Sequence, residues 1–160
     1  MPSETAAALV KVLCATDTSD DGYRGLKVVS RIIDRDAIDE IRILMVTWPA
    51  RRSKIWERAG ELWLAEHDLH QAMEIAVERE LKRFETVLHE CAKSVVAISE
   101  AGEPSITVLE NAASMNADLI LLVITSDPTA ATVSNAASRI IAKSPVPVIV
   151  VHGSCDTIRR

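Results

Sequence analysis

Residues 10–17 read VKVLCATD, and this stretch decides the fold. A short run of apolar and β-branched residues that ends at an aspartate is typical of a strand buried on both faces of a parallel sheet. Ser19 and two aspartates follow at once, which predicts a helix with a capping side chain and acidic residues in its first turn. Apolar residues then recur at helical spacing up to about Asp34. A buried strand followed directly by a helix is the unit from which α/β folds are built.

The same unit recurs along the chain. Four further apolar runs predict strands, over residues 41–48, 95–99, 119–124 and 148–151. Helical spacing occupies the intervals, with a long helix over 62–92 and a last helix over 134–143. Because strands alternate with helices, we expect an open, doubly wound α/β fold with a five-stranded parallel sheet and helices on both faces. Ligands of such sheets bind outside the carboxyl ends of the strands, where the strand order reverses.

Composition narrows the class of protein. The 160 residues are 48% hydrophobic and 26% charged, which predicts one globular domain over residues 1–153 with a polar tail at 154–160. A net charge of −5 does not favour nucleic acid as a partner. The sequence has neither an apolar run of 18 residues nor a secretory signal, so we expect a cytoplasmic protein outside the membrane. Three widely spaced cysteines argue against a disulfide framework.

Three segments together resemble the universal stress protein family. They are residues 12–19, residues 102–120 with their Gly-Glu-Pro start, and residues 139–151 with their Pro-Val-Pro entry to the last strand. The resemblance implies strand order 3-2-1-4-5 in an adenine nucleotide alpha hydrolase-like fold. It also implies a homodimer formed through the last strand, whose interface residues here are Val148, Ile149, Val150 and Val151. A short final strand preceded by Pro147 suits the edge of a sheet.

The phosphate loop of that family is altered in this chain. ATP-binding members carry Gly-x2-Gly-x9-Gly-(Ser/Thr) after strand four, and none of the five glycines here lies in residues 118–143. The first two glycine positions fall on Val123 and Ser126, and the final pair falls on Ser134 and Asn135, in a loop two residues shorter. The resemblance therefore implies that ATP binding is lost or weak. The hydroxyl groups of this loop are compatible with an anion site or with a simple helix cap at Ser134 or its neighbour Thr132.

Other parts of the family's nucleotide site are retained. Asp17 matches the acidic residue that contacts the nucleotide, and Ala15 and Val46 match positions that flank the adenine. An aspartate also ends strands for purely structural reasons, and buried strand ends supply Ala and Val in any case. We expect no obligatory cofactor, and ATP or AMP is the candidate ligand.

Signatures of other functions are absent. His67 and His70 lie three apart on the long helix, but the sequence offers no third ligand, so no metal site is expected. A phosphoacceptor receiver domain needs an aspartate at the end of strand three, where this chain has Ser99 and Glu100. The sequence lacks Gly-x-Gly-x-x-Gly, a P-loop, Gly-x-Ser-x-Gly and His-Glu-x-x-His, so no catalytic residues are predicted.

A cluster of tryptophan and arginine in residues 48–63 is the strongest candidate for a protein contact. Trp48, Trp56 and Trp63 alternate with basic residues there, and both residue types are enriched at interfaces. The rings are equally suited to packing the long helix against the sheet. The first hypothesis is a non-catalytic homodimer that acts in stress response or regulation through an unknown protein partner. The alternative is an ATP or AMP sensor with a remodelled loop, and a slow ATPase comes third.

Overall fold

A parallel five-stranded sheet with helices on both faces forms the protein. The computed structural model describes residues 10–16, 20–47, 66–124 and 131–153. The elements in chain order are β1 (Val10–Thr16), α1 (Asp20–Ile32), a short 3-10 turn (Arg35–Ala37), β2 (Ile38–Thr47), α2 (Glu66–Leu88), β3 (Ser94–Ala101), α3 (Pro104–Ser114), β4 (Leu119–Ile124), α4 (Ala131–Lys143) and β5 (Val148–His152).

The strand order is β3-β2-β1-β4-β5, and all pairs are parallel. This confirms the predicted fold class and strand order. Ala15 on β1 is paired with Leu44 on β2 and with Leu122 on β4. The order therefore reverses at β1, whose carboxyl end lies between those of β2 and β4.

Alternate residues of each strand supply two separate cores, one on each face of the sheet. The α1-side core lies under α1 and α2 and includes Val12, Cys14, Leu26, Val29, Phe84 and Val123. The α3-side core lies under α3 and α4 and includes Leu13, Ala15, Leu44, Val108, Leu122 and Ile140. Burial on both faces explains why the central strands are continuous apolar runs in the sequence.

Several element ends differ from those predicted. β3 runs over Ser94–Ala101 rather than 95–99, and β5 ends at His152 rather than at residue 151. The strand predicted to begin at residue 41 begins at Ile38, which is buried although two acidic residues separate it from the apolar run. The long helix ends at Leu88 rather than at residue 92, and the amide of Cys91 closes the turn onto the Leu88 carbonyl at 2.8 Å. Cys91 stays buried after the helix has ended, so it continues the helical apolar spacing. The last helix begins at Ala131 rather than at residue 134.

The turn from α3 into β4 is fixed by two polar residues. Asn116 has a φ of 52°, a left-handed conformation that asparagine tolerates better than most residues. At Asp118, a carboxylate oxygen accepts from the amide of Lys11 at 2.9 Å, and the Asp118 amide donates to the Lys11 carbonyl at 2.8 Å. This reciprocal pair joins the starts of β1 and β4.

Among the described helices, none combines the length and the apolar character needed to cross a membrane.

Candidate functional site

The expected ligand region is the edge formed by the carboxyl ends of the strands, here called the carboxyl edge. Its described strand ends are Thr16, Thr47, Ala101, Ile124 and His152. Thr16 is buried although it is polar. Asp17 and Ser126 of the predicted site lie outside the described residues, as do residues 48–63 with their tryptophans.

Ala15 and Val46 lie on the same face of the sheet. Ala15 is buried in the α3-side core, and Val46 packs against that core while staying partly exposed. Because Ala15 is paired with Leu44, Val46 lies two residues closer to the carboxyl edge on the neighbouring strand. The structure thus places the two predicted adenine-flanking residues on neighbouring strands and on the same face of the sheet.

Val123 faces the opposite way. Its side chain is buried in the α1-side core and packs against the first helix. A Cβ atom added to Gly25 of α1 would overlap with Cγ1 of Val123. The structure therefore places this predicted loop position on the other face from Ala15 and Val46.

Ser134 and Asn135 lie inside α4, as its fourth and fifth residues. An α-helical amide bonds to the carbonyl four residues earlier, so the Asn135 amide is committed to the Ala131 carbonyl. Neither Ser134 nor Thr132 precedes the helix, so the prediction that one of them is its N-cap is wrong. The reason is that Ala131 and Val133 extend the helical segment toward the loop, and threonine and serine are tolerated within it.

Glu103 organises the start of α3. Its Oε2 accepts from the Ser105 hydroxyl at 2.5 Å and from the Ile106 amide at 2.9 Å. Its Oε1 lies 3.5 Å from the guanidinium of Arg139 on α4. The Ser105 hydrogen bond, helped by backbone amides and Arg139, holds the pKa of this carboxyl below its usual value. The Gly-Glu-Pro motif contains the signal for this cap, because Pro104 is the first helical residue.

Besides Glu103, the carboxylate of Glu100 lies near this edge, on the strand next to Val46. Glu100 is the residue of β3 paired with Val46, and its Oε2 accepts from the Asn111 side-chain amide at 2.7 Å. Asn111 is buried, and its amide also donates to the Thr107 carbonyl at 3.0 Å. Sequence patterns did not single out this buried amide, since a lone asparagine within a helix has no motif.

Covalent and metal chemistry find no support among the described residues. No group of three potential metal ligands occurs in that part of the chain. Burial raises the pKa of the Cys14 thiol to about 12, which keeps it protonated and unreactive. Burial, together with the charge of Glu90, also raises the pKa of Cys91.

The predicted dimer strand, β5, lies at one end of the sheet and pairs with β4. Ile149 is 46% exposed and Val150 is 37% exposed, and they lie on opposite faces of the sheet. Val148 is partly buried, whereas Val151 is buried in the α1-side core. Of the four predicted interface side chains, Ile149 and Val150 are therefore the most available to a partner.

Comparisons with known proteins agree with this architecture. A model of the universal stress protein family matches residues 10–152. No curated protein matches the sequence.

Three solved structures illustrate the similarity of fold. Universal stress protein UspA from Lactobacillus plantarum is 22% identical, with a TM-score of 0.63, covering 89% of this chain and 97% of that chain. A universal stress protein family protein from Arabidopsis thaliana with AMP bound is 16% identical, with a TM-score of 0.59 and coverages of 89% and 90%. A universal stress protein in complex with cAMP is 17% identical, with a TM-score of 0.56 and coverages of 91% and 98%.

Proposed function

The chain belongs to the universal stress protein family, and we propose that it is a non-catalytic homodimer that acts through contacts with other proteins in stress response or regulation. In this proposal the protein binds ATP weakly or not at all. A domain of residues 1–153 carries this role, and the partner contact includes the tryptophan and arginine segment of residues 48–63.

The observation that carries the weak-binding proposal is the position of Ser134 and Asn135 within α4. A phosphate group binds at a helix start because the first amides there have no intrahelical partner. By the helical pattern, the amide of Asn135 is already used within α4. Moreover, residues 118–143 contain no glycine that would let another part of the backbone approach a phosphate.

Charge at the carboxyl edge also supports weak binding of a polyphosphate. Glu100 is the penultimate residue of β3, Glu103 directly precedes α3, and Asp20 and Asp21 occupy the first turn of α1. The guanidinium of Arg139 lies 3.5 Å from the carboxylate of Glu103. Arg24 lies 3.7 Å from Asp21 and Arg83 lies 3.8 Å from Asp20, so in the described part of this edge these cations, like Arg139, already face carboxylates and are less available to a triphosphate.

Calorimetric titration with ATP, ADP and AMP in the presence of magnesium tests the proposal. We expect no saturable binding of ATP, corresponding to a dissociation constant weaker than about 1 mM. Mass spectrometry of acid-quenched protein should find no retained nucleotide. Micromolar ATP binding that is lost in Asp17→Ala and kept in Asp36→Ala would refute it, because Asp36 is an exposed residue just before β2, at the amino end of the strands.

The alternative is an adenine-nucleotide sensor with a remodelled loop. It is supported by the adjacency of Ala15 and Val46 on one face, together with the AMP and cAMP complexes of the two similar structures. AMP binding without ATP binding in the same titration would favour this alternative.

The homodimer proposal has its own test. β5 is an end strand, and the backbone N–H and C=O groups of such a strand are a template for pairing with a second copy. Two of its apolar side chains, Ile149 and Val150, are also exposed. We expect light scattering to give twice the mass of 17.5 kDa for the wild type and the monomer mass for Ile149→Lys. Ile106→Lys is the matched control, because Ile106 is an isoleucine of α3 that is 55% exposed. A wild-type monomer, or a dimer that survives Ile149→Lys, would contradict the proposal.

A further inference from the structure

The end of β4 packs closely against the N-terminal half of α1, because the helix carries little side-chain volume there. Gly25 is buried, and its missing side chain leaves the space that Cγ1 of Val123 occupies. A Cβ atom on Gly25 would also lie 3.6 Å from Cα of Gly153, just beyond β5. Gly153 in turn packs so closely on α1 that a Cβ atom there would overlap with the carbonyl oxygen of Asp21.

Valine at 123 and glycine at 25 are therefore complementary. The volume that a glycine at 123 would leave empty is filled by the valine, and the helix makes room for it at Gly25. This packing brings α1, the end of β4 and the residue after β5 into close contact on the α1 side of the sheet. Ala15 and Val46 face the other side of the sheet, in contact with the α3-side core.

We infer that position 123 is a packing position coupled to Gly25 and does not determine ligand binding. Val123 stands where the family's phosphate loop has its first glycine. Its side chain packs in the α1-side core, on the opposite face of the sheet from Ala15 and Val46. The inference rests on the proposed function, because it identifies which departure from the loop does not cause weak ATP binding. Restoring glycine at 123 should leave ATP binding as weak as before.

A set of variants tests the coupling by thermal unfolding. In Gly25→Ala, the new methyl group meets Val123 Cγ1, so Tm should fall by about 2–10 °C, the effect of overpacking a core of this size. In Val123→Ala the clashing atom is gone, and the added Cβ would lie 3.5 Å from Cβ of residue 123, an ordinary contact. Adding Gly25→Ala to Val123→Ala should therefore leave Tm unchanged or raise it, since alanine favours a helix.

Val151→Ala is the matched control. Val151 is a buried valine of the same core, paired with Val123 on the neighbouring strand, and is not among the nearest contacts of a Cβ on Gly25. Gly25→Ala should lower Tm in the Val151→Ala background as it does in the wild type. An equal effect of Gly25→Ala in the Val123→Ala and Val151→Ala backgrounds would overturn the coupling.

The ligand part is tested by titrating Val123→Gly with ATP and AMP beside the wild type. We expect identical binding curves. Saturable ATP binding by Val123→Gly alone would overturn the inference while leaving the proposed function of the wild type intact. Tight ATP binding by both proteins would instead refute the proposed function and support the inference.

Discussion

Removing the charge of Glu103 should reveal a pH-dependent part of the free energy of unfolding. Glu103 caps α3 through the Ile106 amide, accepts from the buried Ser105 hydroxyl and faces Arg139. Glu103→Ala removes all three interactions. Glu103→Gln keeps an oxygen acceptor for the cap but removes the charge.

The expected magnitude follows from the geometry. Loss of an N-cap costs about 1 kcal/mol, and leaving the Ser105 hydroxyl without this acceptor adds about 1 kcal/mol. The ion pair adds little, because the Arg139 side chain is 63% exposed. Glu103→Ala should therefore lower the free energy of unfolding by about 2 kcal/mol at pH 7. Glu103→Gln should lower it by about 0.5–1 kcal/mol, because the favourable interaction of the charge with the helix dipole is lost. For a domain of this size, 2 kcal/mol lowers Tm by about 4–8 °C.

The sign of the pH dependence follows from the direction of the pKa shift. The folded pKa of Glu103 lies below its ordinary value of 4.5, so its charge stabilises the fold fully above the pKa of the unfolded chain. That contribution is lost as pH falls through the lowered folded pKa. The difference between wild type and Glu103→Gln should therefore be complete at pH 7 and shrink below about pH 4.5.

Urea unfolding at pH 7 and at pH 3 measures both differences. Glu110→Gln is the control, because Glu110 is an exposed carboxylate on the same helix and its substitution should change stability by less than about 0.5 kcal/mol. If Glu103→Gln matches the wild type at pH 7, or differs from it equally at both pH values, the assignment of Glu103 as a charged cap is wrong.

Three further outcomes are expected. Asp118→Ala should lower the free energy of unfolding in urea by about 1–3 kcal/mol, because the Lys11 amide no longer has a carboxylate acceptor, and Asp118→Asn should lower it by less. Phe84→Ala should lose about 3–5 kcal/mol by the same assay, because Phe84 is fully buried between α2 and the sheet, and a loss below about 1 kcal/mol would contradict that packing. In a Cys155→Ser background, Cys14 should resist a thiol reagent at pH 8 until the protein is denatured, and rapid labelling of Cys14 in the native state would contradict its burial.

The strands were predictable because each buried strand is a continuous apolar run. Leu119–Ile124 matched its predicted bounds, and the fold class followed from the alternation of strands and helices. The ends of strands and helices were harder to predict where they are determined by tertiary contacts. Ile38 joins β2 by pairing with Val10, and the sequence around it is acidic. Cys91 keeps helical spacing after the helix has ended, because the turn still faces the core.

The candidate site was less predictable than the fold. Counting from strand four puts the first glycine position of the family loop at Val123, which lies near the end of β4. The packing of Val123 depends on Gly25, which lies on another element nearly one hundred residues away. Ser134 and Thr132 suit both a cap and a helix interior, so the start of α4 could not be read from residue type. Glu103 and Asn111 act through hydrogen bonds that only the packed helix creates.

The segments that carry the family resemblance stabilise the fold of this chain. Gly-Glu-Pro at 102–104 caps α3, Asp118 joins β1 to β4, and Pro147 leads into the end strand, where its carbonyl accepts from the Ile120 amide at 3.0 Å. All of these interactions are made between groups of the protein itself. Family resemblance is thus carried by residues that build the fold, whereas in the function proposed above phosphate binding would depend on backbone groups between β4 and α4. The two properties can therefore separate, and we expect this chain to keep the fold and the proposed dimer strand while its affinity for ATP is weak or lost.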